Sequence, residues 1–209
     1  NIVTIQPDSL RILHNPLTGW VLYASMGVDA ADFWAQYDHM YIPELGHNVS
    51  VTDYAHTLYI RASWTDFNPQ EDVYGWKIDS NLRAYIEGAY QRNMRLAFRV
   101  VVDSRDKRTE FTPQFVKDAG AKGFMNKGKW SPYSDDPVFQ KYYTKFVKAL
   151  AKDFNDPSKV EFIDGFGLGK WGEYHTMIYS TGDDTPKKAV FDWVTDIYSQ
   201  AFDKVPVVI

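Results

Sequence analysis

Strand-like and helix-like segments alternate along this chain, and that alternation constrains its fold more than any single residue does. GWVLYAS at 19–25, TLYIRAS at 57–63, LAFRVVVD at 96–103, VEFIDGFGL at 160–168 and the terminal VPVVI read as short β-strands. Helical periods lie between them. The first falls within ADFWAQYDHMY. The second, SNLRAYIEGAYQRN at 80–93, puts Leu82, Tyr85, Ile86, Ala89 and Tyr90 on one face, with Asp79 or Ser80 as its cap. The third, DPVFQKYYTKFVKALAKDF, has Pro137 in its first turn, and the fourth is expected to start with Thr185 as N-cap and Pro186 at the first helical position. Strands that alternate with helices build a parallel sheet with crossover helices. The connection from 104 to 135 holds Pro113, Gly120, Gly123, Gly128 and Pro132 and is expected to be a long loop.

Two architectures share this pattern, the doubly wound open sheet and the (β/α)8 barrel. Side-chain alternation separates them. In the second strand Tyr59, Arg61 and Ser63 oppose Leu58, Ile60 and Ala62; in the third, Ala97, Arg99, Val101 and Asp103 oppose Leu96, Phe98, Val100 and Val102. A sheet covered by helices on both faces has little room for an arginine inside each of two strands. The upper interior of a barrel has that room, because it opens into a polar site. The expected fold is therefore α/β, a (β/α)8 TIM barrel. Five strands use all 209 residues, whereas eight at that spacing need roughly 350. Cutting a barrel at its fifth strand bares sheet edges. The sequence thus predicts that residues 1–209 form the N-terminal part of one such domain, about the first four βα units and the start of strand 5. A remaining half-barrel segment would complete it.

Composition excludes several function classes. Net charge is −4, and the densest basic cluster, SRDKR at 104–108, is short and interrupted by Asp106, which argues against a nucleic-acid partner. No apolar run approaches the ~20 residues of a membrane span. There are no cysteines, so disulfides and thiolate chemistry are excluded. The histidines at 14, 39, 47, 56 and 175 lack H-x-x-x-H or H-x-H spacing. A G-x-S-x-G nucleophile elbow is absent as well. Neither a metal nor another cofactor is expected. Aromatic residues make up 16% of the chain, which fits either a core of large side chains or a cleft that stacks rings against flat apolar ligand faces.

The stretch GFGLGKWGEYHT, residues 165–176, carries the chemistry. Gly167, Gly169 and Gly172 formally spell G-x-G-x-x-G. A pyrophosphate site needs a helix to start at that turn, but EYHTMIYSTGDD has no strong helical period, and Trp171 and anionic Glu173 would crowd a phosphate. A presented carboxylate is the better reading. Glu173 follows the fourth strand, on the rim where barrel enzymes place their sites. Trp171 and Tyr174 would shield it from water, as a general acid needs, and His175 would tune its protonation. The bland alternative is a surface acid in a glycine-rich turn. Asp103 ends the third strand on the same rim and on the face of Arg99. Either could contact a ligand's hydroxyls, or the two could form an internal pair that neutralises a buried charge. Alternation leaves Asp164 open, as a buried acid or as part of the site. His47 and His56 fall on the opposite rim and read as structural.

One further segment, YIRASWTDFNPQEDVYGW at 59–76, resembles the second-strand region of clan A glycoside hydrolases, the β-galactosidase-like (β/α)8 enzymes, with an Arg at the strand end, then Trp, a Pro and an aromatic pair. The resemblance runs over strands two to four, about residues 57–176. It implies that Glu173 is the general acid/base, that Arg61 orients a nucleophilic carboxylate, and that Trp64 forms a wall of the site. Trp171, Tyr174, His175 and Asp103 would line the substrate. Those families commonly carry Asn before the acid/base, where this chain has Gly172, and their nucleophile lies on a seventh strand beyond residue 209. The implied reaction is retaining hydrolysis of an O-glycosidic bond in an oligosaccharide or polysaccharide. A non-catalytic glycan-binding barrel, using Trp64, Trp171 and Tyr174 as stacking platforms, is the alternative. Work on extracellular glycans would suit a secreted or periplasmic protein.

Overall fold

The computed structural model of the protein describes residues 19–105 and 109–208. His14, residues 106–108 of the basic cluster and the last residue of VPVVI lie outside them. Five strands, β1 (Trp20–Tyr23), β2 (Ala55–Ser63), β3 (Arg95–Val101), β4 (Val160–Asp164) and β5 (Val207–Val208), form one sheet in the order 1-2-3-4-5. Every pairing is parallel. The crossovers carry helices α1 (Ala30–Asp38), α2 (Ser80–Gln91), α3 (Pro137–Phe154) and α4 (Lys187–Ala201).

A doubly wound sheet reverses its strand order near the middle; this one does not. When each strand adds to the same edge through a right-handed crossover, all helices fall on one face. Burial agrees. Leu58, Ile60, Leu96, Phe98 and Ile163, on the convex face, are fully buried. They pack with Tyr85 of α2, Phe146 of α3 and Val194 of α4 in one core; Phe98, for example, meets Phe154 of α3 at 4.8 Å between ring centroids. The concave face, with Tyr59, Arg61, Arg99, Phe162 and Asp164, is only half-buried. The described chain is an arc of parallel βα units with a polar inner surface. Among the described residues β1 and β5 have no outer neighbour.

Helix caps follow the residues that make them. The Asp79 carboxylate accepts from Leu82 N at 2.7 Å and caps α2, and Asp136 caps α3 just before Pro137. At α4 the expected boundary moves by one residue. The helix is bounded at Lys187, which puts Pro186 in the capping position without a side-chain cap, although its backbone is already helical at φ −76°, ψ −10°, as the expected first helical residue would be. The first helix stops at Asp38, and Met40–Ile42 pairs with His47–Val49 in a small hairpin. The connection expected to be a loop at 104–135 holds a helical turn, Gln114–Asp118, and a hairpin, Gly123–Asn126 with Lys129–Pro132. Its glycines and prolines mark the turns between these short pieces.

Candidate active site

Charge on the concave face is concentrated at the C-terminal ends of the strands. Register sets Arg61 of β2 beside Arg99 of β3. In β4, Phe162 lies beside Ala97 of β3 and so shares the concave face, and Asp164, two residues on, shares it too. Two neighbouring guanidinium groups on a half-buried face need counter-charges. Arg99 finds both of its own. Its Nε and Nη2 donate to Asp164 Oδ2 and Oδ1 at 2.9 and 2.8 Å, a bidentate pair. Its Nη1 donates to Glu173 Oε1 at 2.9 Å. Tyr59 completes the cluster, its hydroxyl donating to Asp164 Oδ2 at 2.5 Å. Burial first, and then the Asp164 carboxylate, push the Tyr59 phenol far above its ordinary value, so it stays a donor. Burial acts to lower Arg99, but Asp164, Tyr59 and Glu173 together outweigh that and hold it above its ordinary value.

Glu173 reaches this cluster from the segment after β4. That segment is a compact turn, not the start of a helix. Gly172 N donates to Gly169 O at 3.0 Å, Lys170 N to His175 O at 2.9 Å, and Tyr174 N to Leu168 O at 2.8 Å. Among the described residues no helix begins between Gly165 and Lys187, so the dinucleotide reading of G-x-G-x-x-G has no helix N-terminus to receive a phosphate. The glycines serve close packing instead. At Gly167 (φ +75°) an added Cβ would lie 1.7 Å from the Val100 carbonyl oxygen, and Gly167 O accepts from Val102 N at 3.1 Å. The chain can cross the end of β3 there only without a side chain.

The remaining expected site residues are distributed unevenly. Glu173 has 46% of its side chain exposed. It is not enclosed by Trp171 and Tyr174 as expected; its partner is Arg99. Tyr174 is tied to α4, where its hydroxyl donates to Lys187 O at 2.9 Å and its ring meets Phe191 edge-on. Trp171 is 41% exposed, with the Lys170 ammonium 4.3 Å from its ring centroid. The His175 ring lies 5.6 Å from that of Trp171. Arg61 donates through Nη2 to Trp171 O at 2.7 Å.

Trp64 and Asp103 do not line a cleft. Trp64 is 0% exposed, ringed by Phe115, Phe139, Tyr143 and Phe146 beneath the sheet. It starts the helical turn that follows Ser63, and that turn carries it into the core. The expected Arg99–Asp103 pair does not form either. Asp103 is buried and taken up by Arg105, whose Nε lies 2.8 Å from Oδ2 and 3.0 Å from Oδ1. Sequence reasoning missed Tyr59 and Arg105 as site residues and left Asp164 undecided. Parity with Arg61 could have found Tyr59, and parity with Phe162 fixes Asp164. No spacing rule reaches Arg105, which pairs two residues back across a turn.

No family model and no curated protein matches the sequence. Solved structures do match. A GH5_18 protein from Streptomyces cattleya in complex with GlcNAc superposes with a TM-score of 0.57 at 13% identity, over 90% of this chain and 42% of its own. The exo-β-1,4-mannosidase of Opitutaceae bacterium strain TAV5 gives 0.55 at 15% identity, over 97% and 34%. Endo-glycoceramidase II from Rhodococcus sp., captured as a lactosyl-enzyme intermediate, gives 0.53 at 15%, over 90% and 48%. The fold is one found in glycoside hydrolases. The resemblance read from the 59–76 segment thus meets structural neighbours of the same class. This chain spans less than half the length of each of these three structures. Among the described residues no helix is long and apolar enough to cross a membrane, and no group of His, Asp and Glu is arranged to hold a metal.

Proposed function

We propose that this chain is the N-terminal part of a (β/α)8 glycoside hydrolase that cleaves an O-glycosidic bond with retention, using Glu173 as general acid/base. One observation carries the reading. A solvent-accessible carboxylate, Glu173, stands on the C-terminal rim of a singly wound βα arc, held at 2.9 Å by an arginine that is itself held by Asp164. In a fold found in glycoside hydrolases, that rim is where a reacting acid belongs. The lactosyl-enzyme intermediate captured for the Rhodococcus neighbour supports a retaining route.

In that route Glu173 protonates the departing glycosidic oxygen and later draws a proton from the attacking water. A second carboxyl group ~5–5.5 Å away must bond to the anomeric carbon. Asp164 does not suit that role, because both of its oxygens are already bound by Arg99 and Tyr59. The nucleophile would come from strands that complete the barrel, and Arg61 would orient it. Trp171 is the described aromatic best placed to stack on a sugar ring. A secreted or periplasmic setting suits this substrate class.

The test uses the full-length natural polypeptide and two variants. Glu173→Gln is expected to abolish hydrolysis of glycosides with poor leaving groups while glycan affinity stays within about threefold, since it removes a proton and keeps the shape. Trp171→Ala is expected to weaken both. A glycan-binding barrel without chemistry would show Trp171-dependent affinity and no turnover for either protein.

A further inference from the structure

We infer that Arg105 is a positioning residue for Glu173, acting with Arg61 by gripping the backbone of the 165–176 segment on either side of it. The inference rests on the reading of Glu173 as the reacting acid.

The observation behind it is where the backbone is strained. Three non-glycine residues in this short segment have left-handed backbones, Trp171 at φ 63°, Tyr174 at φ 55° and Thr176 at φ 46°. Each such residue is strained for a side chain with a Cβ, and such conformations persist only where the surroundings over-determine them. Here each has a named restraint. Trp171 O accepts from Arg61 Nη2 at 2.7 Å. Thr176 O accepts from Arg105 Nη2 at 2.7 Å. Tyr174 is held by Leu168 O through its N–H and by Lys187 O through its hydroxyl. Glu173 lies between the two arginine-held carbonyls, and its carboxylate is met by a third arginine, Arg99.

Arg105 is suited to this task because its guanidinium is buried and bound to Asp103. Asp103 takes its Nε and its Nη2, the latter at 2.7 Å, and the two side chains are only 10% and 7% exposed. The Asp103 carboxylate also accepts from Arg105 N at 3.0 Å, and Ser104 N is fixed by Ser131 Oγ at 2.9 Å. Asp103 alone would satisfy the charge. The additional bond to Thr176 O, from the end of β3 to the end of the β4 segment, is what a merely internal ion pair does not need. Hydrogen bonds from an ionised donor are the stronger kind, so both carbonyls are firmly held.

Two variants test this in the full-length natural polypeptide. Arg105→Lys keeps a cation beside Asp103 and loses the fork that bridges to Thr176. Arg105→Met with Asp103→Asn removes the pair together, so that no buried charge is stranded if the first variant folds poorly. Hydrogen exchange at the amides of Lys170, Gly172 and Tyr174 is expected to quicken about tenfold or more in both, with β2 and β3 amides unchanged. On any glycoside that the wild type hydrolyses, kcat is expected to fall on the order of 10²-fold with KM nearly constant, because a reacting group has been misplaced. Unchanged exchange in the segment overturns the inference. Failure of the hydrolase reading shows separately, as a Glu173→Gln protein that keeps the wild-type rate, while the exchange measurement needs no turnover.

Discussion

At the scale of single residues, the account turns on how two adjacent arginines are tolerated on one sheet face. Arg99 is held by Asp164, and Tyr59 closes the remaining side of that carboxylate. Removing the arginine leaves Asp164 poorly solvated and without its cation. Arg99→Met is therefore expected to lower stability by roughly 3 kcal/mol in urea denaturation, and Arg99→Met with Asp164→Asn to recover much of it. An equal loss in single and double variants would show that the pair is not coupled. Glu173 is different, because it is nearly half exposed. Glu173→Gln is expected to cost less than about 1 kcal/mol, so its effect on turnover can be read without a folding correction. Trp64 provides the contrast to Trp171. Trp64→Ala empties a fully buried site and is expected to cost about 3–5 kcal/mol, whereas Trp171→Ala should leave the melting curve almost unmoved.

At the scale of elements, the segment after β4 depends on glycines placed where backbone meets backbone. Gly167→Ala forces a Cβ against the Val100 carbonyl in a left-handed residue, and its cost should exceed the ~1–3 kcal/mol of the conformation alone. Gly128 has a similar φ of +77° with open space around it, so Gly128→Ala should cost only roughly 1–2 kcal/mol. Equal costs at the two sites would contradict the close-approach argument. Helix α2 gives a pH signature. Burial pushes Tyr85 and Tyr90 up to about 12 from 10.0. The unfolded chain releases these protons near pH 10, so the folded state holds more of them between the two values. The stabilisation is complete below pH 10 and is lost as pH rises through 12. The urea midpoint should fall across that window, and less steeply in Tyr85→Phe; a flat midpoint would refute the assignment. Elements were the most legible part of the sequence. The apolar periods of α2 and α3 are long, and Asp79 and Pro137 announce where they start. The small hairpins were illegible because three-residue strands such as Met40–Ile42 carry no period. Trp64 was misjudged because it follows Arg61 by three residues in sequence but leaves the strand at Ser63, where a helical turn redirects it into the core.

At the scale of the whole molecule, strand parity pointed away from the doubly wound sheet, and the five described strands do run in unreversed parallel order, with Arg61 and Arg99 on the half-buried face. The candidate site was less legible. Glu173 was singled out by its position after the fourth strand and Arg61 by the family resemblance, but the Arg99–Asp164–Glu173 linkage joins three chain segments, and spacing holds no record of which acid meets which arginine. The arc also exposes apolar groups: Val21 and Tyr23 of β1 are 47% and 51% exposed. Edge strands of this kind invite pairing with another chain. Residues 1–209 expressed alone are expected to self-associate in sedimentation, and Val21→Lys with Tyr23→Glu to raise the monomer fraction; no change would show that this edge is already covered. The central claim, that Glu173 is the acid of a glycoside hydrolase, is tested most directly by leaving-group dependence. Aryl glycosides with good and poor leaving groups would be compared in the full-length natural polypeptide and in Glu173→Gln. The account requires the variant to lose on the order of 10²–10⁴-fold on poor leaving groups and much less on good ones. Equal rates for variant and wild type on poor leaving groups would contradict it.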